Sequence, residues 1–143
     1  MGVEAIEWTE VRAMSLDPAA LDAETLTFLT ERHLATLTNV RADGTPHVVP
    51  VGFTYEPGTR LARVITSGTS VKARLAARPG AVAAVCQVDG RRWLTLQGPI
   101  HVERDEAAVA DAVERYARRY RQPRVNPERV VLVIEVERIL GHG

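Results

Sequence analysis

The sequence predicts a mainly β domain, an antiparallel sheet of six strands curled into a barrel with helices at its connections. Three observations carry that reading. Segments that alternate apolar and polar residues recur from residue 34 to residue 140. Turns rich in Gly, Pro, Asp and Thr separate them at hairpin spacing. The clearest helical stripe, at 105–120, stands at a connection between strands.

The elements follow in order. Residues 1–16 read as a flexible tail, with Ile6 and Trp8 available to dock it, and residues 17–143 as one domain. Asp17-Pro18 looks like a cap and first turn, and Leu21, Leu26 and Leu29 share a helical face through about Arg32. LATLTNVR (34–41) alternates as a strand, Ala42 to Thr45 turn, and PHVVPVGFTY (46–55) returns. After a turn at Glu56 to Thr59, LARVITS (61–67) is the third strand. A short helix runs from Ser70 to Arg78 and stops at Pro79-Gly80. AVAAVCQV (81–88) reads as a strand buried on both faces. WLTLQGPIHVE (93–103) is a long strand bent at Gly98-Pro99. In the 105–120 helix, Val109, Val113, Tyr116 and Tyr120 form a packing stripe. RVVLVIEVERIL (129–140) closes the sheet.

Composition bounds the function. The 143 residues suit one core, and 45% hydrophobic with 25% charged is ordinary globular usage. Zero formal net charge supplies no general attraction for nucleic acid or membrane. The single cysteine, Cys86, rules out an internal disulfide framework, suits a cytoplasmic setting and reads as an inert core thiol. The start is acidic and resembles neither a signal peptide nor an anchor. The four histidines have no ligand-like spacing, so no metal site is expected, and His47 reads as exposed or bonded to backbone. No nucleophile or P-loop motif appears, and no catalytic residue is assigned. With so little acid–base machinery, a cofactor would carry the chemistry.

One segment points to where. The chain's one lysine among 18 basic side chains, Lys72, follows the hydroxyl-rich turn Thr66-Ser67-Gly68-Thr69-Ser70. Backbone N–H groups, hydroxyls and an ammonium converging there suit a phosphate. Taken alone, Lys72 fits a helix-surface lysine as well.

The whole pattern resembles the flavin-binding split β-barrel superfamily, the pyridoxamine-5'-phosphate-oxidase-like fold. LATLTNVRADGTPHVVPVGFTYEP resembles its first hairpin, ARVITSGTSVKARLAARPGAVAAVCQV its phosphate strand and helix, and RRWLTLQGPIHVE the strand after them. Within the superfamily, FLTERHLATL, PHVVPVGFT, VCQVDGRRWLTLQG and RYARRYRQPRVNPERVV are similar to the branch that uses coenzyme F-420, a deazaflavin, its mycobacterial biliverdin reductases included.

The resemblance implies a dimeric split barrel with FMN-binding-like architecture and two cofactor sites along the seam. It implies that Lys72 pairs with the cofactor phosphate, helped by Ser67 and Ser70. It places Thr66 at the ribityl and phosphate region, Pro50 and Val51 beside the tricycle, and Trp93 near the ring or the neighbouring subunit, although Trp93 fits a core aromatic equally. The implied reaction is hydride transfer from reduced coenzyme F-420 to a conjugated acceptor, a tetrapyrrole such as biliverdin foremost. The propionates would meet arginines of RYARRYRQPR. Ser70 and Val71 stand where oxidases and some coenzyme F-420 relatives carry an arginine before the lysine, a departure that weakens the phosphate grip and counts against FMN in particular. Arg41, Arg63, Arg74 and Arg78 are the candidates to compensate or to meet the coenzyme's polyglutamate tail. The alternatives are an FMN-dependent amine oxidase and a non-catalytic carrier of deazaflavin, flavin or haem.

Overall fold

The structure, a computed structural model, describes residues 14–142. Its strands are β1 (Ser15–Leu16), β2 (Ala35–Val40), β3 (Pro46–Val51), β4 (Thr54–Glu56), β5 (Leu61–Ser67), β6 (Val82–Asp89), β7 (Arg92–Glu103), β8 (Arg129–Glu135) and β9 (Arg138–His142). Its helices are α1 (Ala23–Phe28), α2 (Val71–Ala76) and α3 (Glu106–Arg119). Every strand pairing is antiparallel, and the order β3-β2-β6-β7-β8-β5-β4 makes the split barrel, with β9 on β7 and β1 on β9. None of the described helices is long and apolar enough to cross a membrane.

Among the described residues the sheet has nine strands where six were expected. Two predicted strands are each divided, and one short strand joins from the tail. The 46–55 run breaks at Gly52-Phe53, because the Phe53 N–H donates to the Tyr120 hydroxyl at 3.1 Å. The 129–140 run carries a bulge. Ile134 pairs Ile100 and Arg138 pairs Gln97, so the register slips by one between β8 and β9. Gly98 is the facing bend, as its sequence suggested. A Cβ there would lie 1.9 Å from the Glu135 carbonyl oxygen. Ser15 and Leu16, read with the tail, pair with Leu140 and Ile139. Ile6 and Trp8 lie outside the described residues.

The first helix is shorter than expected. Asp17 forms a local turn instead of a cap, its carboxylate accepting from the Ala19 N–H at 2.9 Å. Asp22 caps α1 by accepting from the Thr25 N–H at 2.8 Å. Inside the barrel, Phe28, Leu37, Phe53, Leu94, Leu96, Leu132, Ile134 and Ile139 are fully buried. Ala112 and Val109 of α3 cover Val131 and Val133 on the outside of β8.

One face stays open. Alternation turns Val40, Val48, Val82 and Val88 outward from β2, β3 and β6, where they are exposed. Cys86 shares that face and is half-buried, so β6 is not covered on both sides as the sequence suggested. The run of small apolar residues there reflects an uncovered face instead of a second core. His47, read as exposed or backbone-bonded, is half-buried beside Asn39, and its Nδ1 has no partner among the described residues.

Candidate functional site

The groove that gathers the expected residues lies between the end of β3 and the end of β5, beneath the start of α2. It has a volume of about 250 Å³. Pro50 and Val51 form one wall, and Thr66, Ser67 and Lys72 form the other. A larger groove of about 650 Å³ lies on the open sheet face, around Val40, Val82 and Gln97, and contains none of the expected residues.

Local chemistry explains the arrangement. The β5 strand ends at Ser67 because the Gly68 N–H turns to the Glu128 carbonyl at 2.8 Å. Ser70 then caps α2, its hydroxyl accepting from the Ala73 N–H at 3.2 Å and from the Thr66 hydroxyl at 3.1 Å. Ser70 therefore shapes the turn and is not among the residues lining the groove. The Ser67 hydroxyl is exposed and meets Thr69 Oγ1 at 3.0 Å, a contact that a ligand oxygen can replace.

Lys72 sits one position into α2, half-buried. Burial pulls its ammonium below the usual 10.5, and no carboxylate among the described residues offsets that. A desolvated, uncompensated cation beside two hydroxyls is a site that an anion would stabilise.

Next to Gly52, a buried arginine outside the groove fixes the backbone at Phe53. Arg119 donates to the Glu31 carbonyl at 2.8 Å, the Phe53 carbonyl at 2.7 Å and Gln87 Oε1 at 2.7 Å. Gln87 in turn donates to the Phe28 carbonyl at 3.0 Å. Tyr120 donates to the His33 carbonyl at 2.6 Å, and burial holds its phenol proton on well into the alkaline range. Tyr116 stacks on Tyr120 at 4.9 Å and lines the groove. Gly52 permits this close approach, since a Cβ there would meet the Tyr116 ring at 2.9 Å.

Sequence reasoning missed Gly52, Tyr116, Asn126 and Arg129, all of which line the groove. Tyr116 was read as packing, and its stripe gave no sign that one ring edge stays open. Arg129 comes from β8, where it pairs with Ser67 across the sheet. Of the arginines expected to compensate, Arg63 pairs with Glu56 at 3.0 Å, Arg78 donates to the Val40 carbonyl and Arg41 to the Pro46 carbonyl. None of these, nor Arg74, lines the groove. Trp93 lies apart from it, half-buried on the open sheet face between Val88 and His142. Arg115 of the RYARRYRQPR run is paired with Asp111 and Glu56, and Arg119 is structural, so neither is free for a substrate.

The sequence profile described as pyridoxamine 5'-phosphate oxidase matches residues 21–143. The chain belongs to the pyridoxamine 5'-phosphate oxidase family. An F-420H2-dependent biliverdin reductase of Mycobacterium tuberculosis (strain CDC 1551 / Oshkosh) is 55% identical over 129 residues, covering 90% of this chain and 93% of that relative. The crystal structure of the conserved hypothetical protein Rv2991 of Mycobacterium tuberculosis superposes with a TM-score of 0.72 at 20% identity, over 85% of this chain and 84% of that one. A structure described as an F-420 reductase superposes with a TM-score of 0.66 at 23% identity, over 84% of this chain and 98% of that one. At such identities the two structures speak for the family fold, which is the barrel described above.

Proposed function

We propose that this chain is a coenzyme F-420-dependent oxidoreductase that reduces a conjugated acceptor, with biliverdin as its substrate. The observation that carries the reading is the extent of likeness to the biliverdin-reducing relative, 55% identity over 90% of the chain. The groove is consistent with it. The Lys72 ammonium with the Thr66 and Ser67 hydroxyls would hold the coenzyme phosphate, and Pro50, Val51 and Gly52 would lie along the tricycle. When bound, the reduced deazaflavin supplies the hydride. No carboxylate or imidazole of the described residues lines the groove, and in this reading the balancing proton would come from solvent. The chain's own work is then to orient the two reactants and to exclude water between them. Of the RYARRYRQPR run, Arg118, Arg121 and Arg124 remain exposed, and Arg121 and Arg124 flank Pro123, which lines the groove, so these two are the nearest candidates to meet propionates.

The same reading includes a homodimer. The outward face of β3, β2, β6 and β7 carries four exposed valines together with Trp93 and Cys86. Pro50 belongs both to that face and to the groove. A second copy seated there would cover the valines, bring Trp93 toward the neighbouring site and finish the groove's open wall. The experiment is to mix the protein with reduced coenzyme F-420 and biliverdin and follow both absorbances. Oxidation of the coenzyme matched by loss of biliverdin supports the proposal. Tight binding without turnover, across several acceptors, would make the protein a carrier.

A further inference from the structure

We propose that Arg129 is the second cation of this anion site, and that Arg129 and Arg104 together extend it to receive acid groups beyond the phosphate. The inference rests on the reading above, in which an anionic deazaflavin occupies the groove. Arg129 stands opposite Ser67 in the β5–β8 ladder. It is the residue shared by two adjoining grooves, the one holding Lys72 and a shallower one of about 380 Å³ around Gly68, Thr69 and Arg104.

The Arg129 guanidinium is oriented without being used up. One terminal nitrogen donates to the Arg124 carbonyl at 2.6 Å. No carboxylate of the described residues comes within 4.0 Å of it. Its remaining N–H groups are available for ligand oxygens. Arg104 reaches over the turn at Gly68, where a Cβ would stand 3.3 Å from Arg104 Nη1 and 3.2 Å from the Glu128 carbonyl oxygen. Bare backbone at this point lets the second arginine close on the path. Lys72, Arg129 and Arg104 therefore follow one another along two connected grooves. Among the described residues Glu128 is the one carboxylate lining them, and it is exposed.

Charge counting gives the ligand class. The position expected to hold an arginine before Lys72 is Ser70 or Val71, so local sequence supplies no second charge. A phosphodiester carries a single negative charge, which Lys72 alone balances. Two further guanidinium groups downstream are in surplus for that ligand. They suit one whose phosphate is followed by carboxylates, recognised through charge-assisted bonds.

The test is a fluorescence titration with three probes: the phosphate-free deazaflavin chromophore, coenzyme F-420 with one glutamate, and coenzyme F-420 with several. Arg129→Ala is expected to weaken both coenzyme forms about tenfold and to leave the phosphate-free chromophore unchanged. Arg129→Lys should recover most of that loss, and Arg104→Ala should weaken only the longer-tailed coenzyme. Added salt should shrink these differences. Wild-type affinity in Arg129→Ala, with Lys72→Ala still impaired, overturns this inference and leaves the proposed function standing. Equal loss for all three probes also overturns it, since that pattern belongs to packing. Failure of the wild-type protein to bind any deazaflavin overturns the proposed function and this inference together.

Discussion

Two cations withdrawn from water receive opposite treatment in this molecule. Arg119 and Lys72 both have pKa values pulled down, and burial is the first cause in each case. Arg119 is given three acceptors and two aromatic faces, Phe53 at 4.8 Å and Tyr120 at 5.2 Å. Lys72 is given two hydroxyls nearby and no acid partner among the described residues. The difference separates structure from function. A buried charge bonded through each of its three nitrogens holds elements together, whereas one left uncompensated in a groove is one that an anionic ligand would stabilise.

The largest effect that tests this contrast is on stability. Arg119→Ala should cost about 3–5 kcal/mol, because it strands the Phe53 and Glu31 carbonyls and the Gln87 amide oxygen at once. A thermal melt should fall by roughly 10 °C or more, and a shift below about 2 °C would mean the network is dispensable.

Next comes the neighbouring hydroxyl. Tyr120→Phe should cost about 1–3 kcal/mol, since the Phe53 N–H and the His33 carbonyl lose their shared partner. Denaturant unfolding measures it, and an unchanged midpoint would assign those bonds to water instead.

Lys72→Met should leave the melting temperature unchanged or raise it slightly at neutral pH. The sign follows from the lowered pKa. Below that value the folded protein carries a desolvated charge that the unfolded chain, titrating near 10.5, carries in water. That cost falls as pH rises from the folded-state pKa and is gone above the unfolded value of 10.5, so below that window the variant has nothing to lose. A clear drop in the melt would place Lys72 with Arg119 as a structural group.

The smallest effect is in pH dependence. Affinity for an anionic deazaflavin should stay flat around neutrality and weaken as pH climbs through the lowered Lys72 pKa, before reaching 10.5. In Lys72→Arg the decline should vanish over the same range. An identical decline in both proteins would assign it to another group.

The same two residues show how far the sequence could be read. Strand alternation and hairpin turns were enough for the barrel, because period and turn chemistry are local. The breaks at Gly52-Phe53 and at Val136-Glu137 were not legible, because what interrupts them is the hydroxyl of Tyr120, just past α3, and a bulge register. Asp17-Pro18 imitated a helix start, and only the backbone shows Asp22 taking that role. Lys72 stood out because it is one lysine after a run of hydroxyls. Arg119 looked like any cation near a helix C-terminus, since the carbonyls it meets come from distant segments. Arg129 reaches the groove only through cross-strand pairing with Ser67, which no local pattern encodes.

The most direct measurement compares the wild-type protein and Lys72→Ala in a fluorescence titration with coenzyme F-420 at neutral pH. Loss of one charge-assisted contact predicts about 1.5–3 kcal/mol, roughly a ten- to hundredfold rise in Kd, with an unchanged melt. Equal Kd values for the two folded proteins would contradict the assignment of that ammonium to the coenzyme phosphate.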